Sequence, residues 1–255
     1  MRFYAAAETD IGVVKQQNED SICFLLADTP AGQAALAVVC DGMGGLQHGE
    51  VASATVVTMF ADWFENTFPK LLPNFRWEIV REQWDRLIRI ADDRLREYGA
   101  QNRMRLGTTV SAILFFENHY LIGHAGDSRI YEIDSSLVQL TEDQSLVARE
   151  VRRGTMTLDQ AEHDPRRNVL LECVGASGGV HPMLITGTIR PNACYLLCSD
   201  GLHHELSLGE LYAAVNPAAS FSKAAMHDNL RGIIRLVIQR GEEDNISALL
   251  VRTAN

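Results

Sequence analysis

Ala37-Val38-Val39-Cys40-Asp41-Gly42 sets four apolar residues directly before a carboxylate and a glycine. So short an apolar run, closed by a turn residue, reads as a buried strand. A rigid strand end positions Asp41, and glycine lets the backbone approach an ion or its waters. The same pattern recurs at Tyr195-Leu196-Leu197-Cys198-Ser199-Asp200-Gly201. Asp244 stands just before a third apolar run, Ile246 to Val251, and Asn18-Glu19-Asp20 precedes a fourth that opens at Ser21. In antiparallel sheets the end of one strand lies beside the start of its neighbour. Asp20, Asp41, Asp200 and Asp244 are therefore expected to meet at one edge. Any one Asp-Gly pair is as readily a plain turn, but four acidic strand boundaries are hard to reach by chance.

Outward from these ends, strand-like runs fall near 2–8, 21–27, 34–40, 109–116, 119–125, 128–133, 185–190, 193–199 and 246–252. Several are parted only by turn residues, as at Glu117-Asn118 and Gly126-Asp127, which predicts antiparallel hairpins. Three segments have helical period instead. After Trp77 come Val80, Trp84, Leu87, Ile88, Ala91, Leu95 and Tyr98. Residues 50–68 carry Ala54, Val57, Phe60, Phe64 and Phe68, and 222–240 carry Met226, Leu230, Ile233, Ile234 and Val237. Ser222 is the candidate cap of the last helix and Gly241 lies just past its end. Segregated strands and helices predict an α+β fold, two sheets with helices outside. The stretch from about 144 to 182 differs, with Arg149, Arg152, Arg153, Arg166, Arg167 and the Gly-rich Gly175-Ala176-Ser177-Gly178-Gly179. It reads as a flap inserted in a single domain spanning 1–255, its arginines most simply a solvated face.

The 255 residues are 46% apolar, enough for a substantial core, and carry a formal net charge of -10. That charge argues against nucleic acid as the main partner, since such binding leaves a basic footprint. Five cysteines without a CxxC pair suit a reducing cytosol better than a disulfide framework. No apolar run reaches membrane-spanning length, and acid at Glu8 interrupts any signal peptide, so a cytoplasmic protein is expected.

Crowded carboxylates repel unless protons or cations neutralise them. Oxygen-only ligands select hard ions, Mg²⁺ or Mn²⁺. Two such ions sharing a carboxylate can bring a bridging water from a pKa of 15.7 to roughly 7, and the resulting hydroxide suits attack on a phosphate monoester.

Six segments, taken in order, carry a family resemblance: Asp10-Ile11-Gly12…Asn18-Glu19-Asp20, Cys40-Asp41-Gly42-Met43-Gly44-Gly45, Gly107-Thr108-Thr109, Gly126-Asp127-Ser128-Arg129, Ser199-Asp200-Gly201-Leu202 and Asp244-Asn245-Ile246-Ser247. The series resembles that of the metal-dependent protein phosphatases (PPM, 2C type) of bacteria, over about residues 8–251. The resemblance implies a central sandwich of two antiparallel sheets flanked by helix pairs, with metals at one edge. It implies that Asp41 bridges two ions and the Gly42 carbonyl binds one, that Asp200 and Asp244 hold the other, and that Glu19 and Asp20 act on the first through water. Asp127, with Asp200, matches a third, weaker metal site. The implied activity is hydrolysis of phosphoserine and phosphothreonine on proteins by a metal-bridging hydroxide, reversing a Ser/Thr kinase.

Three positions depart from the family's pattern. Lys15 stands where a phosphate-binding Arg is usual, which keeps the charge but loses the bidentate fork. Leu46 follows Gly44-Gly45 where His is frequent, with His48 two residues on, and Gln144 replaces His in Asp143-Gln144-Ser145. His203 and His204, adjacent on a helix, diverge by about 100° and are expected at the rim of the site rather than on one ion. Cys198 is expected to be a structural thiol. A small-molecule or nucleotide hydrolase on the same scaffold, and an inactive phosphoprotein-binding module, are the competing readings; the second would have lost its metal carboxylates, all of which are present.

Overall fold

A computed structural model describes residues 1–43, 48–176 and 178–254. Strands β1 (Arg2–Asp10), β2 (Ser21–Thr29) and β3 (Gly32–Cys40) lead into helix α1 (Gly49–Asp62). The buried face of α1 runs through Ala52, Val56 and Phe60, with Ala54, expected on it, exposed instead. A π-turn over Trp63–Thr67 passes that face on through Trp63 and Phe64 to α2 (Phe68–Leu71), and α3 (Trp77–Asn102) follows. Next come β4 (Val110–Phe116), β5 (His119–Ala125), β6 (Arg129–Ile133) and β7 (Leu137–Gln139), then α4 (Leu146–Arg152) and α5 (Leu158–Glu162). The chain ends with β8 (Met183–Thr188), β9 (Cys194–Cys198), α6 (Asp200–His203), α7 (Leu208–Val215), α8 (Lys223–Gln239) and β10 (Ile246–Ala254).

The strands form two five-stranded sheets, ordered β1-β10-β9-β6-β7 and β2-β3-β4-β5-β8, and the pairings are antiparallel. Strand alternation separates the core into layers. Ala35, Ala37 and Val39 of β3 face Tyr195, Leu197, Leu249 and Val251 between the sheets. Ala34, Leu36, Val38 and Cys40 of the same strand turn outward onto Phe60, Trp84 and Ile88 of α1 and α3. On the far sheet Leu196, Cys198, Ala248 and Leu250 meet Leu211 of α7 and Leu230, Ile234 and Val237 of α8. This is the α+β sandwich that the strand and helix periodicities imply.

Boundaries moved where local chemistry intervenes. The run read at 185–190 forms β8 two residues earlier, because its register pairs Met183 with His124 and ends at Thr188. Three-residue β7 is too short to show a period. Helix α7 had a signal in Ser207-Leu208-Gly209-Glu210, a capping box in which Ser207 and Glu210 each satisfy the other's backbone N–H. Ser222 caps α8 by accepting from the Ala225 N–H at 3.1 Å, and Gly241 takes φ 99° beyond its end.

Within 144–182, α4 is capped by Ser145 and α5 by a Thr157–Gln160 capping box. Bridge Ser145↔Leu170 pairs two parts of this excursion with each other, and Thr108↔Val174 ties it to the segment just ahead of β4. Arg149 and Arg153 pair with Glu150, Arg152 with Glu142, and Arg166 with Asp164, so these arginines face neighbouring acids in solvent. Gly44, Gly45, Leu46 and Ser177, named above, lie outside the described residues. Among the described residues no helix is long and apolar enough to cross a membrane.

Candidate active site

Asp41 leaves the end of β3 with its backbone clamped. Its N–H donates to Thr109 Oγ1 (2.9 Å), and its carbonyl accepts from the Thr109 N–H and the Thr108 hydroxyl, both at 2.8 Å. Gly42 donates its N–H to the Glu19 carbonyl at 3.1 Å. A methyl on Gly42 would sit 2.5 Å from both the Glu19 carbonyl oxygen and the backbone of Gly49, so only glycine fits between these chains. Glu19 Oε1 in turn accepts the Gly49 N–H (3.1 Å) at the start of α1. Burial raises the Glu19 carboxyl, while that N–H and Lys15 pull against it.

Asp20 faces the end of β9. Its Oδ2 accepts the Ser199 hydroxyl at 2.9 Å, and Ser199 Oγ also takes the Ser247 N–H at 2.9 Å. One serine thus couples Asp20 to the junction of β9 and β10 and to Asp200, the next residue. Asp244, ahead of β10, is held through its N–H by Glu242 Oε1 (2.9 Å) and pairs through Oδ1 with Lys15 Nζ at 2.8 Å. Asn245 gathers the loop between β1 and β2: its Oδ1 accepts the Glu19 N–H (2.9 Å), and its Nδ2 donates to the carbonyls of Ile11 (2.9 Å) and Gln17 (3.2 Å).

Asp127 sits in the β5–β6 turn, where Gly126 takes φ 118°. Gln144 brackets that glycine, its Oε1 accepting the Gly126 N–H at 3.0 Å while its own N–H donates to the Gly126 carbonyl at 2.8 Å. Behind the turn Arg129 forks onto Asp143, with Nη2 to Oδ2 at 2.7 Å. His203, expected at the rim, is instead buried, with Nε2 3.2 Å from the Asp127 carbonyl and its basicity pushed well down by burial. The α6 turn points its fourth residue inward, so adjacency on a helix left only His204 partly exposed. His48 is half exposed beside Glu50, its Nδ1 3.1 Å from Oε1. Cys198 is fully buried, and burial pushes its thiol up to about 12, as a structural thiol requires.

The charges explain what these positions are for. Burial raises Asp41 well above the usual carboxylate range, reinforced by the fields of Asp20, Asp200, Asp127 and Asp244. Burial likewise brings Asp20 up to about 7 against the Ser247 and Ser199 hydrogen bonds, with Asp200 and Asp244 adding to it. Asp127 is raised by burial and then by Asp200 and Asp143. Asp20, Asp41, Asp127, Asp200 and Asp244 therefore share one field, although they come from five separate places in the chain. Asp20 Oδ1 and Asp200 Oδ1 are buried with no hydrogen-bond partner, an arrangement that costs stability unless something cationic answers it. An oxygen-only set of this kind fits hard divalent ions. Among the described residues no three Asp, Glu, His or Cys side chains are drawn together tightly enough to hold an ion as they stand.

Sequence reasoning named the carboxylates but passed over what aligns them. Thr108, Thr109, Asn245 and Ser199 enter the sequence reading only as members of the motif series and, for Ser199, as the end of a strand. Glu242 carried no signal beyond its closeness to Asp244.

Residues 13–235 match the family described as Protein phosphatase 2C. The chain is 30% identical over 247 residues to a putative protein phosphatase 2C-type of Streptococcus pyogenes serotype M6, covering 96% of this chain and 95% of that one. The serine/threonine phosphatase Stp1 from Staphylococcus aureus superposes with a TM-score of 0.86 at 27% identity, over 100% of this chain and 96% of that one. The catalytic domain of the serine threonine protein phosphatase PstP, solved in complex with two manganese ions, gives 0.81 at 27% identity over 99% of each chain. With a family match across most of its length and carboxylates at the strand ends that the motif series requires, this chain belongs to the protein phosphatase 2C family.

Proposed function

We propose that this protein hydrolyses phosphoserine and phosphothreonine on other proteins, reversing a Ser/Thr kinase, with two Mn²⁺ or Mg²⁺ ions at the Asp41 edge and a third beside Asp127. The observation that carries this reading is the meeting of Asp20, Asp41, Asp127 and Asp200 in one field, Asp127 and Asp200 buried and Asp20 and Asp41 half-buried, with two buried carboxylate oxygens left unpartnered.

Asp41 would be shared by two ions, with the Gly42 carbonyl on one of them. Asp200 and Asp244 would hold the other, and Glu19 and Asp20 would orient water on the first. Asp127 with Asp200 would form the third position. When bound, such ions acidify water and screen the phosphoryl charge. The chain's own part is alignment. Thr108 and Thr109 fix Asp41, Ser199 fixes Asp20, and Asn245 fixes the loop that carries Lys15 and Glu19. Lys15 supplies the positive charge for the phosphoryl oxygens. Burial alone would lower its ammonium, but Asp244, Glu19 and Asp41 hold it above its ordinary value, so it stays charged. Cys23, Cys40, Cys194 and Cys198 are unbridged thiols, which supports a reducing compartment such as the cytosol.

The test is phosphate release from phosphothreonine, phosphoserine and phosphotyrosine peptides, with Mn²⁺ or with chelator, for wild type and Asp41→Asn. Mn²⁺-dependent release favouring the aliphatic esters is expected, with near-complete loss in the variant. Activity that persists in chelator removes the metal mechanism; an unimpaired variant removes the site assignment.

A further inference from the structure

The loop between β1 and β2 meets Asp244 twice, by close packing at Gly12 and by an ion pair at Lys15. Gly12, at φ 76°, lies so close that a methyl group there would stand 2.5 Å from the Asp244 carbonyl oxygen. Lys15 Nζ reaches the Asp244 carboxylate at 2.8 Å. Asn245 secures the flanks through the carbonyls of Ile11 and Gln17, and Gly12 donates its N–H to Asp10 Oδ1 at 2.8 Å. Between the two contacts stand Val13 and Val14, on backbone held at both sides.

Those two valines are 69% and 57% exposed, and Ile11 beside them is 39% exposed. A single exposed apolar residue is ordinary on any surface. Three within four positions, on a backbone pinned to the candidate site, form a patch with no structural use in the chain itself. β-branched residues are also stiff, so a contact with them costs little side-chain entropy.

We propose that Val13 and Val14 form an apolar ridge that selects protein substrates with an aliphatic residue immediately beside the phosphorylated one. This rests on the phosphatase reading above, since Lys15 marks where the phosphoryl group is received. Consecutive Cα atoms are 3.8 Å apart, so the neighbour of a phosphoresidue held at Lys15 comes within reach of the side chains just before it. The charge of the surroundings points the same way. Asp10 opens this loop and Glu243 lies against Gly12, and the chain carries a net charge of -10. An acidic neighbour is repelled there, whereas an aliphatic one buries apolar surface.

The experiment uses phosphothreonine peptides identical except for Leu, Ala or Glu at the position before or after the phosphoresidue, with p-nitrophenyl phosphate as a substrate that has no neighbour. For wild type with Mn²⁺, kcat/KM for the better-placed Leu peptide should exceed Ala by about fivefold and Glu by more, below the range seen for enclosed apolar pockets. In Val13→Ser/Val14→Ser the Leu-to-Ala ratio should fall towards one, with p-nitrophenyl phosphate turnover unchanged, which also reports that the variant folds. Equal rates on all three peptides in wild type overturn the ridge alone, as does a Leu preference that survives the double substitution. No turnover of any of these substrates overturns the phosphatase reading, and the ridge with it.

Discussion

Lys15 Nζ lies 2.8 Å from Asp244 Oδ1, so the cation proposed to meet phosphate already partners a carboxylate proposed to meet metal. The two roles are coupled: an ion drawn to Asp244 competes with the ammonium, and an ammonium released from Asp244 becomes available to an anion. Lys15→Met should therefore raise Mn²⁺ affinity, by roughly threefold or more, because a positive charge beside the ion is gone. The same change should lower kcat/KM on a phosphopeptide roughly ten- to hundredfold, the usual range for losing one charge-assisted contact. Lys15→Arg should recover phosphate binding through its fork. Calorimetric Mn²⁺ titration and steady-state kinetics check the two effects separately; a Met variant with unchanged Mn²⁺ affinity would show that the pair is incidental.

Asn245 is buried and is the common anchor of Glu19, Ile11 and Gln17. Asn245→Ala leaves one N–H and two carbonyls without their partner, a loss of at least about 2 kcal/mol in urea unfolding. Asn245→Asp keeps an acceptor for the Glu19 N–H but turns a buried carboxylate oxygen onto the Ile11 and Gln17 carbonyls, so it should cost more than Ala at neutral pH. Both variants should raise KM for phosphopeptides, since the loop bearing Lys15 is freed. A purely structural role would lower stability and leave KM in place.

Two glycines on helices separate close approach from mere presence. A methyl at Gly201 would collide with the Asn245 carbonyl oxygen, prising Asp200 away from the start of β10. Gly201→Ala should cost about 1–3 kcal/mol or more and weaken Mn²⁺ binding. At Gly232, inside α8, nothing lies within 4 Å of such a methyl. Gly232→Ala should raise stability by about 0.5–1 kcal/mol through helix propensity and a less flexible unfolded chain. Thermal melts in chelator and in Mn²⁺ distinguish them: a stabilised Gly201→Ala would overturn the packing argument.

What the sequence made legible follows from how each feature is encoded. The sandwich was readable because its strands are apolar on both faces, as β3 is, and because α3 and α8 carry unbroken stripes. The acidic positions were readable because each adjoins such a strand. Their alignment was not, since Ser199 meets Asp20 across 179 residues and Asn245 meets Glu19 across 226, and no local pattern announces either contact. The inward turn of His203 was missed for the same reason: its partner is the backbone of Asp127, 76 residues away. Short elements such as β7 fail because three residues cannot display a period.

His124, like the buried His203, adds to the acid sensitivity of the fold. It is fully buried in β5, with Nδ1 2.9 Å from Ser111 Oγ and Nε2 3.2 Å from the Glu142 carbonyl. A neutral ring donates at one nitrogen only, and the Glu142 carbonyl can only accept, so the ring proton sits on Nε2 and Nδ1 shares the Ser111 hydroxyl with the Ser128 carbonyl. Burial lowers its pKa from 6.5 to about 4, with Asp143 opposing. The folded state thus refuses a proton that the unfolded chain accepts below 6.5. Stability from this group is whole above that value and is lost as pH falls towards 4, by about 3 kcal/mol at roughly 1.36 kcal/mol for each pH unit between the two values. Asp20 has the opposite sign: its carboxyl is raised to about 7, so in chelator the folded state takes up its proton first and gains stability as pH falls from there towards 3.8. Total stability therefore mixes two opposed slopes, and the difference between wild type and His124→Gln isolates one of them. In urea unfolding at a series of pH values in chelator, the wild type's advantage over the variant should shrink steadily from pH 6.5 to 4. An advantage that stays constant across that window would mean the ring is not kept neutral by its burial.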